Sequence, residues 1–137
     1  MSTATRDRDL SRYGTFFLVA ALYDMILGAA FFLLYEPIFK AIGMPLPSHV
    51  SYVHLSAVFV FVQGLGYWFV YRDPLSNLGL VRVGIAYKGA YTALAAYYVA
   101  VAQIPSMFFA WFGIFDFVFL IGFVLFLRWA GRPTATW

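Results

Sequence analysis

The chain has 137 residues, of which 64% are hydrophobic and only 11% are charged, and its mean hydropathy is +0.82. An average soluble domain carries about 25% charged residues, and a chain this short cannot bury so much apolar surface in one water-soluble core. The composition therefore excludes a soluble globular domain, a disordered tail and a coiled coil, and it predicts a membrane protein.

The charge and cysteine content exclude further classes. The sequence has no cysteine, which excludes disulfides, thiol catalysis and thiolate metal sites within the chain. The net charge of +3 comes from basic residues near the ends of apolar segments, without a basic stripe. This distribution is typical of membrane orientation signals and not of a nucleic-acid-binding surface. The expected partner is therefore the lipid bilayer, with no nucleic acid.

A polar leader of mixed charge occupies residues 1–12, and we expect it to be cytoplasmic and either disordered or interfacial. A cleaved signal peptide is the alternative, although the apolar run that follows is longer than the usual core of about 7–15 residues. Residues 130–137 form the corresponding cytoplasmic tail.

Four apolar segments predict four transmembrane helices, since each is close to the roughly 20 residues that a spanning helix needs. They form one domain over residues 13–129, with helices at 13–35, 51–71, 80–101 and 106–129. Strands of a membrane barrel would alternate over about 10 residues, so these continuous runs favour an all-α four-helix bundle. Ser48 and Ser106 are the expected N-caps of the second and fourth helices.

Basic residues are concentrated at alternate ends of these segments. They lie in the leader, in and beside the second loop, and in the tail: Arg6, Arg8, Arg12, Arg72, Arg82, Arg128 and Arg132. The first loop holds only Lys40, and the third loop holds none. The positive-inside rule then places both termini and the second loop in the cytoplasm.

The first loop has an amphipathic character of its own. Ile38, Phe39 and Ile42 have helical spacing, which predicts a short helix on the outer membrane interface. A surface connector is the favoured interpretation, and a cap or lid over a cavity is the alternative.

Three ionisable residues fall within the predicted spans, where a charge is expensive to bury. At about 1.5 Å of rise per residue, Asp24, Lys88 and Asp116 lie about 16, 12 and 20 Å from the cytoplasmic ends of their helices. All three are therefore in the middle third of a core about 30 Å thick, and we expect them to meet.

Several neighbours are expected to complete a polar site around these charges. Tyr23 and Tyr87 each precede a charged residue by one position, Tyr91 shares the face of Lys88, and Gln63 lies at a similar depth. The predicted ligand- or ion-binding residues are Asp24, Lys88, Asp116, Tyr23, Gln63, Tyr87 and Tyr91. The alternative is a purely structural cluster that fixes the helix register.

Evidence for a metal or catalytic site is weak. His49 and His54 are the weak candidates for a metal or haem pair, since they are five positions apart and not the four that share a helix face. The sequence shows no phosphate-binding loop, zinc-protease motif or nucleophile elbow. We therefore predict no catalytic residue and name no cofactor.

Five short motifs are spread over nearly the whole chain. They are Leu22-Tyr23-Asp24 with Gly28, Glu36-Pro37 with Gly43-Met44-Pro45-Leu46-Pro47, Arg72-Asp73-Pro74, Tyr87-Lys88-Gly89, and Asp116. Together they resemble small bacterial four-helix membrane proteins that are loosely DoxX-like. The resemblance implies a four-helix bundle in the bacterial inner membrane, and it implies no settled activity.

Three functional hypotheses follow from the sequence. The first is a module that binds or transports a small molecule, lipid or ion at the mid-membrane site, as a homo-oligomer if it transports. The second is an accessory or assembly subunit of a larger membrane complex, with purely structural buried charges. The third, an enzyme or a haem or quinone protein, would use His49 and His54 and is the least favoured.

Overall fold

The computed structural model describes residues 2–133, which form five α-helices and no strand. They are α1 (Thr3–Leu33), α2 (Tyr35–Ala41), α3 (Ser51–Arg72), α4 (Leu78–Ala100) and α5 (Met107–Ala130). Within this range, α1, α3 and α5 are long and apolar enough to cross a membrane. The prediction of an all-α chain is therefore confirmed, and three of its helices fit the predicted membrane spans. Residues 134–137 of the predicted tail lie outside the described range.

The N-terminal leader is helical, which differs from the expected disorder, and its location at a membrane interface stays a prediction. Helix α1 begins at Thr3 because the Ser2 side chain accepts a hydrogen bond from the Thr5 amide at 3.2 Å, as a helix N-cap does. The Arg6 guanidinium lies 4.8 Å from the centre of the Trp129 ring, and Leu10 packs against the core. These contacts extend α1 well before the apolar run begins at Tyr13.

The other helix limits lie close to the predicted ones. Ser106 caps α5 as predicted, since its hydroxyl accepts a hydrogen bond from the Phe108 amide at 3.2 Å. The predicted cap at Ser48 is wrong. Helix α3 begins at Ser51, after Val50, without a side-chain cap.

The long helices run alternately up and down. The start of α1 lies beside the end of α5, where the centres of the Tyr13 and Phe126 rings are 5.2 Å apart. At the opposite end of the bundle, Phe31 of α1 packs 6.5 Å from Phe39 of α2 and 6.4 Å from Phe109 of α5. Both ends of the described chain therefore lie at one end of the bundle, and α2 lies at the other.

Helices α1 and α3 pack almost backbone to backbone, and we call this pair the first hairpin. A Cβ on Gly28 would lie 2.6 Å from the Ala57 carbonyl oxygen, and one on Gly64 would lie 2.9 Å from the Ala21 carbonyl oxygen. At both contacts a glycine of one helix faces an alanine of the other. Such small residues allow helix backbones to approach closely in lipid.

Helices α4 and α5 form the second hairpin, in which Gly113 faces Ala95. The two hairpins contact each other much less than the helices within each hairpin do. They meet on an aromatic core at the end where the chain begins, and Phe17, Phe123 and Phe126 are fully buried there. Away from that core the hairpins are separated by a cavity.

The distribution of polar and apolar residues is inverted relative to a water-soluble protein. Large apolar side chains cover the outer surface, among them Leu33, which is 73% exposed, and Phe59, which is 68% exposed. Three charged side chains, Asp24, Lys88 and Asp116, are buried inside. This arrangement is expected for a chain whose solvent is lipid.

Candidate functional site

Asp24 of α1, Lys88 of α4 and Asp116 of α5 meet inside the bundle, and we call them the charged cluster. Lys88 Nζ lies 2.8 and 3.0 Å from the two carboxylate oxygens of Asp24 and 2.8 Å from Asp116 Oδ1. Lys88 is 0% exposed, Asp24 1% and Asp116 5%. The structure thus brings together the three residues whose depths coincide.

The hydrogen bonds within the charged cluster are unequal. An ammonium group has three N–H donors, and Lys88 directs all of them at carboxylate oxygens. Asp24 uses both of its oxygens for Lys88, whereas Asp116 uses only Oδ1. Among residues 2–133, no side chain or backbone group donates a hydrogen bond to Asp116 Oδ2. One acceptor of the cluster is therefore unpaired.

Aromatic rings surround the Lys88 ammonium. Nζ lies 5.3 Å from the ring centres of Tyr23 and Phe119, 5.5 Å from that of Tyr87 and 5.6 Å from that of Tyr67. A cation within about 6 Å of a ring centre is attracted by the negative face of the ring when it lies over that face. The aromatic surroundings therefore favour positive charge at this depth.

A cavity of about 310 Å³ lies between the two hairpins. It begins at Asp24 and Asp116 and extends towards α2, where Phe39 forms part of its wall. Most of the lining is aromatic or aliphatic and comes from all five helices. The aromatic lining residues are Tyr23, Phe31, Phe39, Tyr52, Tyr87, Tyr91, Phe109 and Phe112.

Helix α2 contributes Phe39 to the wall of this cavity. Phe39 is buried and packs against Phe31, which also lines the cavity. The short helix predicted in the first loop is present, and its contact with the cavity is what the cap interpretation expects. Its location on a membrane interface stays a prediction.

The tyrosines predicted around the charges all line the cavity, but Gln63 does not. Tyr91 also joins α4 to α5, because its hydroxyl donates a hydrogen bond to the Phe109 carbonyl at 3.2 Å. Gln63 is half-buried on α3, and within residues 2–133 its amide has no hydrogen bond to the charged cluster. Gln63 was predicted at a depth similar to that of Lys88, but it is not part of the hydrogen-bond network of the charged cluster.

The two histidines lie near the α2 end of the bundle and pack against aromatic rings. The His54 ring lies 4.6 Å from Phe32 and 5.2 Å from Tyr35, and the His49 ring lies 6.2 Å from Tyr52. In the part of the chain that the structure describes, no group of three or more histidine or carboxylate side chains can hold a metal ion.

Sequence reasoning missed Tyr67 as a member of the site. Its ring lies beside Lys88, and its buried hydroxyl has no hydrogen-bond partner among residues 2–133. The ring fits there because Gly84 has no side chain. A Cβ on Gly84 would lie only 2.6 Å from an atom of the Tyr67 ring. No signal in the sequence pairs this tyrosine with this glycine.

No protein-family model, curated protein or solved structure matches the chain. The resemblance to DoxX-like proteins therefore stays a prediction from short motifs. The charged cluster and the cavity beside it are the basis for a functional conclusion.

Proposed function

We propose that this chain is a four-helix integral membrane protein that binds a small, largely apolar molecule in the cavity beside the charged cluster. The observation that carries the proposal is a cavity of about 310 Å³ with aromatic walls that ends on two buried carboxylates. Ligand sites in proteins typically measure about 300–1,000 Å³ and combine apolar walls with a few fixed polar groups. Both properties are present here.

The charges support a binding role over a purely structural one. A structural ion pair is favourable when every buried donor and acceptor is paired. Here one lysine faces two aspartates, and the unpaired oxygen belongs to Asp116, which lines the cavity. Ionisable residues within the membrane commonly mark the paths and sites of ligands.

In this proposal α4 is the fourth span, and the protein lies in a bacterial inner membrane with both termini inside. Helix α4 has 23 residues, so its length is sufficient although it carries Arg82 and Lys88. The arginines of the leader, of the α3–α4 region and of the end of α5 support this orientation. Helix α2 would then lie at the outer interface.

The orientation can be tested with single cysteines, because the sequence has none of its own. Ser76→Cys marks the α3–α4 turn, and Gln103→Cys marks the α4–α5 turn. In spheroplasts, we expect a membrane-impermeant maleimide to label the Gln103→Cys protein directly. The Ser76→Cys protein should react only after permeabilisation. The reverse pattern would invert the proposed topology, and equal labelling in intact spheroplasts would contradict four spans.

Binding can be tested by filling the cavity from α3. Val60 lines the cavity, so Val60→Trp should occupy space that a ligand needs. Suitable probes are benzyltrimethylammonium and its neutral carbon isostere, neopentylbenzene. In lipid nanodiscs, with empty nanodiscs as background, we expect saturable binding of at least one probe to the wild type. We expect Val60→Trp to weaken that binding by about tenfold or more.

The matched control is Val62→Trp, which adds the same side chain on the same helix. Val62 is 54% exposed and does not line the cavity, so this variant should bind the probe like the wild type. The proposal is wrong if neither probe binds saturably to the wild type. It is also wrong if Val60→Trp binds the probe as tightly as Val62→Trp does.

A further inference from the structure

Resting on the proposed function, we infer that the ligand is a monovalent organic cation with an apolar body, such as an alkyl- or arylammonium, whose charge faces Asp116. A cationic ligand is supported by the charge balance of the cluster, by the position of its unpaired oxygen and by the chemistry of the cavity walls. Each of these is visible in the described residues.

The charge balance favours one additional positive charge. With both aspartates ionised, the single lysine leaves the cluster with one excess negative charge. An uncompensated charge in the middle of a membrane costs about 3 kcal/mol on insertion scales. A monovalent cation in the cavity would remove this excess, whereas a neutral ligand would leave it unchanged and an anion would increase it.

The unpaired acceptor of the cluster is located at the cavity. Both oxygens of Asp24 are bonded to Lys88, but Asp116 gives Lys88 only Oδ1. Asp116 is 5% exposed and lines the cavity, so its second oxygen is the free acceptor of the cluster. A ligand cation in the cavity can therefore approach Asp116 without displacing Lys88.

The cavity walls suit an organic cation better than a metal ion. The rings of Tyr23, Tyr87, Tyr91 and Phe112 line the cavity together with Asp116. Aromatic faces attract alkylammonium groups, and aromatic cages are a common way of binding quaternary ammonium ions. Calcium and magnesium instead need several oxygen ligands. Among residues 2–133, no three carboxylate or histidine side chains lie together so that they could hold a metal ion.

Charge selectivity tests the inference on the wild-type protein. Benzyltrimethylammonium and neopentylbenzene have nearly the same shape and differ in one positive charge. In nanodiscs, we expect the cation to bind about tenfold or more tightly than the neutral isostere, measured by direct binding and by competition. Phenylacetate, an anionic aromatic probe, should not displace the cation.

The variant Asp116→Asn removes the excess charge and keeps the shape of the side chain. We expect it to weaken benzyltrimethylammonium binding by about tenfold or more and to leave neopentylbenzene binding within about threefold. The wild-type comparison of the two isosteres remains decisive if this variant does not fold.

The outcomes separate the inference from the proposed function. Neopentylbenzene could bind saturably and at least as tightly as the cation, with Val60→Trp abolishing that binding. This result would overturn the inference of a cationic ligand, and the cavity would still be a binding site. Displacement of the cation by phenylacetate would also overturn the inference. Absence of saturable binding for both isosteres would overturn the inference together with the proposed function.

Discussion

Replacing Lys88 with methionine is expected to destabilise the protein by about 3–5 kcal/mol, the cost of removing one partner from a buried ion pair. Lys88 Nζ bonds three carboxylate oxygens of Asp24 and Asp116, and it is fully buried. Methionine fills a similar volume, so the variant mainly removes the charge. Two carboxylates then face each other inside the membrane without a counter-charge. Reversible unfolding in mixed detergent micelles would measure the change in free energy.

The matched control replaces all three residues with apolar ones at once, as Asp24→Leu, Lys88→Met and Asp116→Leu. Replacing a complete buried ion network by well-packed hydrophobic residues of similar volume is often close to neutral in stability. We therefore expect the triple variant to recover most of the stability that Lys88→Met loses. A single variant as stable as the wild type would show that the charged cluster does not hold the helices together.

Alanine at Gly28 and alanine at Gly14 are expected to change stability in opposite directions. A Cβ at position 28 would lie 2.6 Å from the Ala57 carbonyl oxygen and 2.7 Å from the Phe61 amide nitrogen. Both are backbone atoms of α3, so the first hairpin must separate to admit the methyl group. Overpacking of this kind typically costs about 1–3 kcal/mol. Gly28→Ala should therefore unfold at lower temperature or denaturant.

Gly14→Ala is the control within the same helix. Apart from its chain neighbours and the adjacent backbone of its own helix, no atom of the described residues lies within 4 Å of the position that its Cβ would occupy. Alanine in a helix interior is more favourable than glycine by about 0.5–1 kcal/mol, so this variant should be slightly more stable than the wild type. Shifts of the same sign and size in the two variants would contradict the close contact of α1 with α3.

The helices and the charged cluster can be predicted from the sequence, because both depend on the number of residues along a helix. Apolar runs of membrane thickness locate the helices, and a fixed rise per residue places Asp24, Lys88 and Asp116 at similar depths. The early start of α1 was not accessible, because the polar leader has no apolar periodicity. Its helix depends on the Ser2 cap and on contacts with Trp129, which lies far along the chain.

The cavity could not be predicted from the sequence, because it depends on which helices pack closely. Small residues occur on α1, α3, α4 and α5, and the sequence does not say which of them face each other. In the structure, Gly28 and Gly64 allow the backbones of α1 and α3 to pack closely. The two hairpins are in contact much less, and a cavity separates them beside the charged cluster. Depth also says nothing about direction around the helix, so it does not distinguish Gln63, which lies outside the cavity lining, from the residues that form it.

The division of the charged cluster between the two hairpins has a consequence for biogenesis in a membrane. Asp24 belongs to the first hairpin, whereas Lys88 and Asp116 belong to the second. Because Lys88 follows the first hairpin in the sequence, the first hairpin is made before the counter-charge of Asp24. The second hairpin supplies the lysine later. Joining of the two halves is therefore the step that pairs Asp24 with Lys88, and a chain in which only one half has folded lacks this ion pair.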